Sequence, residues 1–133
     1  MIISASIKNK KDFNNIILNT DKNSHSLDIT TKPSGYGSII NGGELLFLAL
    51  ATCFCNDIYR EAEKRKMKIE SVYVEVTGEF GGVGEPAKNI VYTANVNAPE
   101  YSKEDINRLL EFTDKVAEIH NTLRLGVDVK LLI

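Results

Sequence analysis

Residues 41–66, NGGELLFLALATCFCNDIYREAEKRK, set the frame for the rest of the chain, because they read as one long helix that carries both of its cysteines. Asn41 with Glu44 three residues on has the form of an N-cap and its acidic partner. A helix from there to about Lys66 would be roughly 35 Å long at 1.5 Å per residue. From Leu45 to Phe54 it is apolar on every side apart from Thr52, so it must be covered all round. A small chain with a single other helix covers only part of that surface. The sequence therefore predicts a second copy on the remaining face, in a two-fold homodimer whose seam runs near Cys53.

On either side of this helix the pattern is that of strands. Residues 2–8 alternate, IILNTD (16–21) and SLDITT (26–31) add β-branched residues between turn formers, and the first thirty residues predict a short antiparallel meander. TKPSGYGSIINGG (31–43) is a loop, without the G-x-G-x-x-G or G-K-[ST] of a phosphate cradle. Beyond the helix, SVYVEVTGEF (71–80) and NIVYTANV (89–96) alternate across a turn-rich GGVGEPAK. GVDVKLLI (126–133) predicts a last strand with Val127, Val129, Leu131 and Ile133 on one face. A second helix is expected from Ser102 to about Thr122, opened by Ser102 with Asp105. Strands, helix, strands, helix, strand make an α+β fold, and 133 residues predict one domain spanning 1–133.

A chain that is 43% hydrophobic, with 16 basic against 18 acidic residues, gives no sign of nucleic acid or a membrane surface as partner. The N-terminus lacks a basic segment followed by a signal-length apolar stretch, and the longest apolar run is too short to span a bilayer. The expected compartment is cytoplasmic, where thiols stay reduced and two cysteines suggest packing or thiol chemistry.

Helix geometry separates the two. They point about 200° apart, which disfavours a disulfide between them and chelation by the pair. With only His25 and His120 elsewhere, no metal and no cofactor is expected. Cys55 shares a face with Ala51, Ile58, Tyr59 and Ala62 and is expected to pack. Cys53 shares one with Ala49, Leu50, Asn56, Asp57 and Arg60, apolar at one end and charged at the other. That mixture fits either a reactive thiol or a small core residue. His120 falls on the stripe of Ile106, Leu109, Leu110, Thr113, Val116 and Ala117, as a satisfied half-buried histidine or as a proton donor or thiolate partner beside position 117. Arg124 reads as a surface residue, Glu61 and Arg65 as an i,i+4 pair, and the charges from Arg60 to Lys68 as a solvated face.

GGELLFLALATCFCNDIYREAEK and the later VAEIHNTLRLGVDVKL resemble the OsmC/Ohr family from about residue 34 onward, through Glu44, the leucine run, Cys53 and His120-Asn121-Thr122-Leu123. The resemblance implies an intertwined α+β homodimer, with a long central helix, a second helix, antiparallel sheets and sites at the dimer interface. It also implies reduction of organic hydroperoxides in oxidative-stress defence. Cys53 falls on the attacking position, and the resulting sulfenic acid is resolved by a second cysteine. Two departures stand out. The resolving position falls on Ala117, and no arginine precedes Arg60 to hold the thiolate as in the hydroperoxide-resistance branch; Lys32 would be a point charge, not a fork. Glu44 lies nine residues from Cys53, about 13 Å along one helix, so it would reach a catalytic thiol only from the partner subunit. It otherwise complements the helix end. The leading expectation is a single-cysteine peroxidase with Cys53, Glu44 and His120 at its site, a small-molecule hydroperoxide as substrate and an external thiol as reductant. The competing expectation is a non-catalytic dimer that binds a small apolar molecule at its interface pocket.

Overall fold

The computed structural model describes residues 1–133 as two compact units, Met1–Leu45 and Leu46–Ile133. The first is built on the antiparallel meander of β1 (Ile3–Lys10), β2 (Phe13–Thr20) and β3 (Asn23–Ser26). Two-residue turns join the strands, and each carries one aspartate in the left-handed region, Asp12 at φ 63° and Asp21 at φ 51°. Tight hairpins require positive φ, which aspartate tolerates better than most side chains. The loop after the sheet folds back on the first turn: Asp12 N–H donates to Gly35 O at 2.7 Å. A Cβ on Gly35 would stand 2.5 Å from Asp12 Oδ1, on backbone already at φ 86°.

The third strand lies earlier than expected. It pairs over Asn23–Ser26, and past Leu27, whose N–H still donates to Ile16 O at 3.4 Å, residues 28–31 run on outside any strand. The reason is a side chain in the role of a neighbouring strand: Asn14 Nδ2 donates to Ile29 O at 3.1 Å and Gly37 O at 3.0 Å.

Helix α1 (Gly42–Lys64) starts at the predicted cap, with Glu44 N–H donating to Asn41 Oδ1 at 2.8 Å and Asn41 N–H to Glu44 Oε2 at 2.9 Å. It ends in a Schellman turn: Met67 N–H reaches Ala62 O, Lys66 N–H reaches Glu63 O, and Lys66 takes φ 54°.

In the second unit β4 (Ser71–Glu79) and β5 (Lys88–Asn97) pair antiparallel, with Val72 opposite Val96, Val74 opposite Ala94 and Val76 opposite Tyr92. Strand alternation puts these six on one face. The core gathers Phe54, Ile58 and Ala62 of α1 with Val96, Ala98, Leu109 and Ala117, and Val72, Val74, Tyr92 and Ala94 pack against it.

The predicted second helix is two. α2 (Lys103–Val116) opens with the Ser102–Asp105 capping box, and α3 (Glu118–Leu125) follows after Ala117, whose ψ of 105° is extended. Ala117 is fully buried, so the bend occurs inside the core. Two side chains of α3 satisfy carbonyls bared by the bend, Asn121 Nδ2 on Lys115 O and Arg124 Nη1 on Asp114 O.

Two further expectations are corrected. Residues 126–133 form no strand: Gly126 at φ 67° ends α3, and the exposed Val127, Val129, Leu131 and Ile133 meet no strand edge in this chain. Alternation alone does not make a strand without a partner ladder. The charges after Arg60 are not simply a solvated face, because Glu61 is only 2% exposed. It is held by Arg60 Nε and Lys64 Nζ at 3.0 Å each and by Arg65 Nη1 at 3.3 Å, a clustering that offsets its desolvation.

Candidate functional site

Cys53 is half-buried on α1, one helical turn before Asp57, and its thiol donates to Asp57 Oδ2 at 3.5 Å. Asp57 is only 4% exposed. Its other oxygen accepts from Arg60 Nη1 at 2.7 Å, and the same nitrogen lies 3.7 Å from Glu118 Oε1 at the start of α3. The bend at Ala117 thus brings the first residues of α3 against the thiol. One ligand-type atom each from Cys53, Asp57 and Glu118 lies within 4.8 Å of the others.

The charges around the sulfur oppose one another. Burial pushes the Cys53 thiol above its ordinary range, and Asp57 and Glu118 add to that as neighbouring negative charges. The backbone N–H of Ile119, second residue of α3, acts the other way and favours the thiolate. At neutral pH the thiol keeps its proton. Burial and Glu118 also raise the Asp57 carboxyl, against the pull of Arg60. A raised carboxyl in contact with a thiol is a better proton acceptor than an ordinary aspartate. One sulfur and two carboxylates are donors that zinc accepts, but Arg60 already holds both carboxylates, so a dication would have to displace the guanidinium.

Cys55 was expected to pack into the core. It is half-buried and stands beside that face, which runs instead through Leu50, Phe54, Asp57, Ile58, Glu61 and Ala62. Two of these six residues are charged, so the buried side of α1 is not the purely apolar one.

His120 keeps the face predicted for it, with Leu109, Thr113 and Ala117 all buried, although the helix breaks between them. It is 3% exposed and packs with Tyr92 at 4.5 Å and Phe54 at 5.6 Å between ring centroids. Burial lowers its pKa, so the imidazole is neutral. Neither ring nitrogen has a hydrogen-bond partner. Beside it Arg124 is exposed, as expected, and its Nη2 holds Asp114 at 2.5 Å, while Asp114 also accepts from the Tyr92 phenol. Burial and Asp114 push that phenol up to about 12.

Glu44 lies at the end of the first unit, where its carboxylate is engaged with the Asn41 backbone. Within the second unit the residues gathered around Cys53 are Asp57, Arg60 and Glu118. Sequence reasoning placed Asp57 and Arg60 on the thiol's face without giving them a role; the i,i+4 spacing of Cys53 and Asp57 was the available signal. Glu118 had none, because its position depends on the bend.

Residues 35–132 match the family profile described as OsmC-like protein. No curated protein matches the chain in sequence. Among solved structures, an OsmC-like protein from Mycoplasma pneumoniae is 19% identical with a TM-score of 0.66, covering 92% of this chain and 86% of its own. An organic hydroperoxide resistance protein from Elizabethkingia anophelis is 17% identical with a TM-score of 0.66, covering 98% and 93%. A third, from Legionella pneumophila, described as an organic hydroperoxide resistance protein OsmC, is 17% identical with a TM-score of 0.60, covering 98% and 94%. At these identities the likeness establishes a shared fold.

Proposed function

The chain belongs to the OsmC-like family, and from that premise we propose that it reduces organic hydroperoxides through the single thiol of Cys53, as part of peroxide-stress defence. The observation that carries the proposal is the contact between Cys53 and Asp57, which gives a protonated thiol its own proton acceptor. Two of the fold relatives carry hydroperoxide resistance in their names, which supports the substrate class.

The proposed step begins with sulfur attacking the terminal peroxide oxygen. An S–O bond forms as the O–O bond breaks, the sulfur is oxidised and the peroxide is reduced to alcohol. The thiol proton passes to Asp57 during attack and from there to the departing alkoxide. Arg60, 2.7 Å from Asp57, holds that carboxylate in place, and the Ile119 N–H favours negative charge on sulfur as it develops. Cys53 sulfenic acid is then attacked by an external thiol, releasing water and leaving a mixed disulfide. A second external thiol frees Cys53 and leaves as the oxidised disulfide. An external resolving thiol is required because Ala117 carries none and Cys55 stands two residues away on the same helix.

We also propose the two-fold homodimer. The support is an uncovered apolar flank on α1, where Leu48 is 60% exposed, together with Ile3 and Ile7 of β1, at 63% and 57%. In such a dimer Glu44 would come to a thiol from the partner subunit.

A second reading, binding of a small apolar molecule without chemistry, is favoured by one observation: burial and two carboxylates hold the Cys53 thiol protonated. Peroxide consumption by the pure protein with a dithiol reductant separates the two, alongside dimedone labelling of Cys53. Turnover that is lost in Cys53→Ser and kept in Cys55→Ser supports the peroxidase. Binding retained in Cys53→Ser, with no turnover or labelling in the wild type, supports the second reading.

A further inference from the structure

The unpartnered imidazole of His120 borders a partly open cavity of about 220 Å³, lined also by Leu50, Ile90, Tyr92, Leu123 and Arg124. Buried polar groups are almost always hydrogen-bonded, so two bare ring nitrogens at 3% exposure call for a partner that the chain does not provide. A dry apolar cavity of roughly 150 Å³ already holds a benzene ring. This one has room for a ring or short chain with a small head group.

The walls decide the charge of that head group. Arg124 is the cation at the cavity, and it is spent: Nη2 is on Asp114 Oδ1, and Nη1 is on Asp114 O and Asn121 Oδ1. Asp114 is in turn occupied by Arg124 and the Tyr92 phenol. The two charges cancel and His120 is neutral, so neither a carboxylate nor an ammonium finds a free counter-charge. A neutral imidazole offers one donor and one acceptor. A hydroxyl pairs with either nitrogen, accepting from the N–H or donating to the bare nitrogen, whichever tautomer faces the cavity.

We propose that this cavity is a binding site for a small uncharged molecule bearing one hydroxyl, an alcohol or phenol of about one ring, seated on Leu50, Ile90 and Leu123 with its hydroxyl on His120. The site lies within one chain and does not rest on the reactivity of Cys53, so it is measured equally well on the Cys53→Ser protein, and its failure leaves the thiol reading untouched.

The test uses the full chain with four probes of one ring each: benzyl alcohol, toluene, benzoate and benzylammonium, followed by calorimetry and by the His120 ring nitrogen resonances. The expected result is saturable binding of benzyl alcohol that shifts those resonances, with toluene at least tenfold weaker and both ions weaker still. His120→Phe keeps an aromatic ring in the cluster and should bring benzyl alcohol and toluene to equal affinity. Leu123→Trp fills the cavity with His120 intact and should abolish both, which keeps the test decisive where His120→Phe fails to fold. Equal binding of benzyl alcohol and toluene to the wild type, tighter binding of either ion, or ring resonances unmoved at saturating alcohol, as for an imidazole satisfied by water alone, overturns the proposal.

Discussion

Replacing Asp57 by Asn should move two reactions of the same sulfur in opposite directions. The carboxylate lies 3.5 Å from Cys53 Sγ. At that distance two unit charges repel by about 1 kcal/mol at the dielectric of water and about 5 kcal/mol at an effective dielectric of 20. Cys53 is half-buried, and Arg60 already shields Asp57 at 2.7 Å, so the lower part of that range applies. Relief of about 1.4 kcal/mol raises the thiolate fraction about tenfold at pH 7. Iodoacetamide reads that fraction directly, because carbon alkylation needs no proton delivered to a leaving alkoxide. The Asp57→Asn protein should therefore alkylate about tenfold faster at Cys53, with a pH midpoint shifted down. Peroxide reduction should slow by about a hundredfold, since a positioned proton carrier contributes roughly 10²–10⁴ and asparagine cannot be one. Stopped-flow oxidation of Cys53 by an organic hydroperoxide, beside iodoacetamide kinetics across pH 6–10, checks both arms. If the two rates rise together, Asp57 only suppresses the thiolate and the proposed proton route is wrong; if neither changes, the carboxylate does not sense the sulfur at all.

Glu61→Gln should destabilise the chain by about 1–2 kcal/mol at pH 7 in urea unfolding, below the usual cost of breaking a buried pair because its three cations reach solvent. The wild-type Glu61 carboxyl is held low, chiefly by the Lys64 hydrogen bond. Its contribution is thus complete above the ordinary carboxylate range and is lost as pH falls through the lowered value, so the variant should show a flatter acid limb. Leu109→Ala, at 1% exposure, should cost about 3 kcal/mol in the same assay without changing the pH profile. For the proposed dimer, sedimentation should find a two-chain species for the wild type and a folded monomer for Leu48→Glu; a wild-type monomer at micromolar concentration would remove the dimer.

What could be read from the sequence were features set by neighbours along the chain. The Asn41–Glu44 and Ser102–Asp105 caps, the β4–β5 alternation and the length of α1 are local, and each is found where expected. The misses depend on burial and on contacts that no local spacing announces. The bend at Ala117 carries no glycine or proline, and it is satisfied by Asn121 and Arg124 reaching back to carbonyls of α2. The third strand moved because Asn14, far from it in sequence, takes the Ile29 carbonyl. Glu61 looked like one member of a surface pair, and only the fold reveals that it is buried among three cations. Cys53 and His120 were named as site candidates from the sequence, whereas the groups that decide the state of the Cys53 sulfur needed the bend to be seen.

That bend also bears on how a lone thiol would complete a cycle. Position 117 carries alanine, and the turn there presents to Cys53 a backbone N–H from Ile119 and the carboxylate of Glu118. An N–H opposite the sulfur stabilises negative charge both in the attacking thiolate and in a sulfenate, the first product of oxidation. Burial, with the two carboxylates added to it, destabilises both species, so the resting thiol is kept protonated and generic electrophiles meet little thiolate. Under this arrangement selectivity for peroxide follows from proton supply. On the proposed route, only a reaction that uses the Cys53 proton on its leaving group would recover what burial and the carboxylates withhold, and an alkyl peroxide, whose departing alkoxide is a strong base, would be such a substrate.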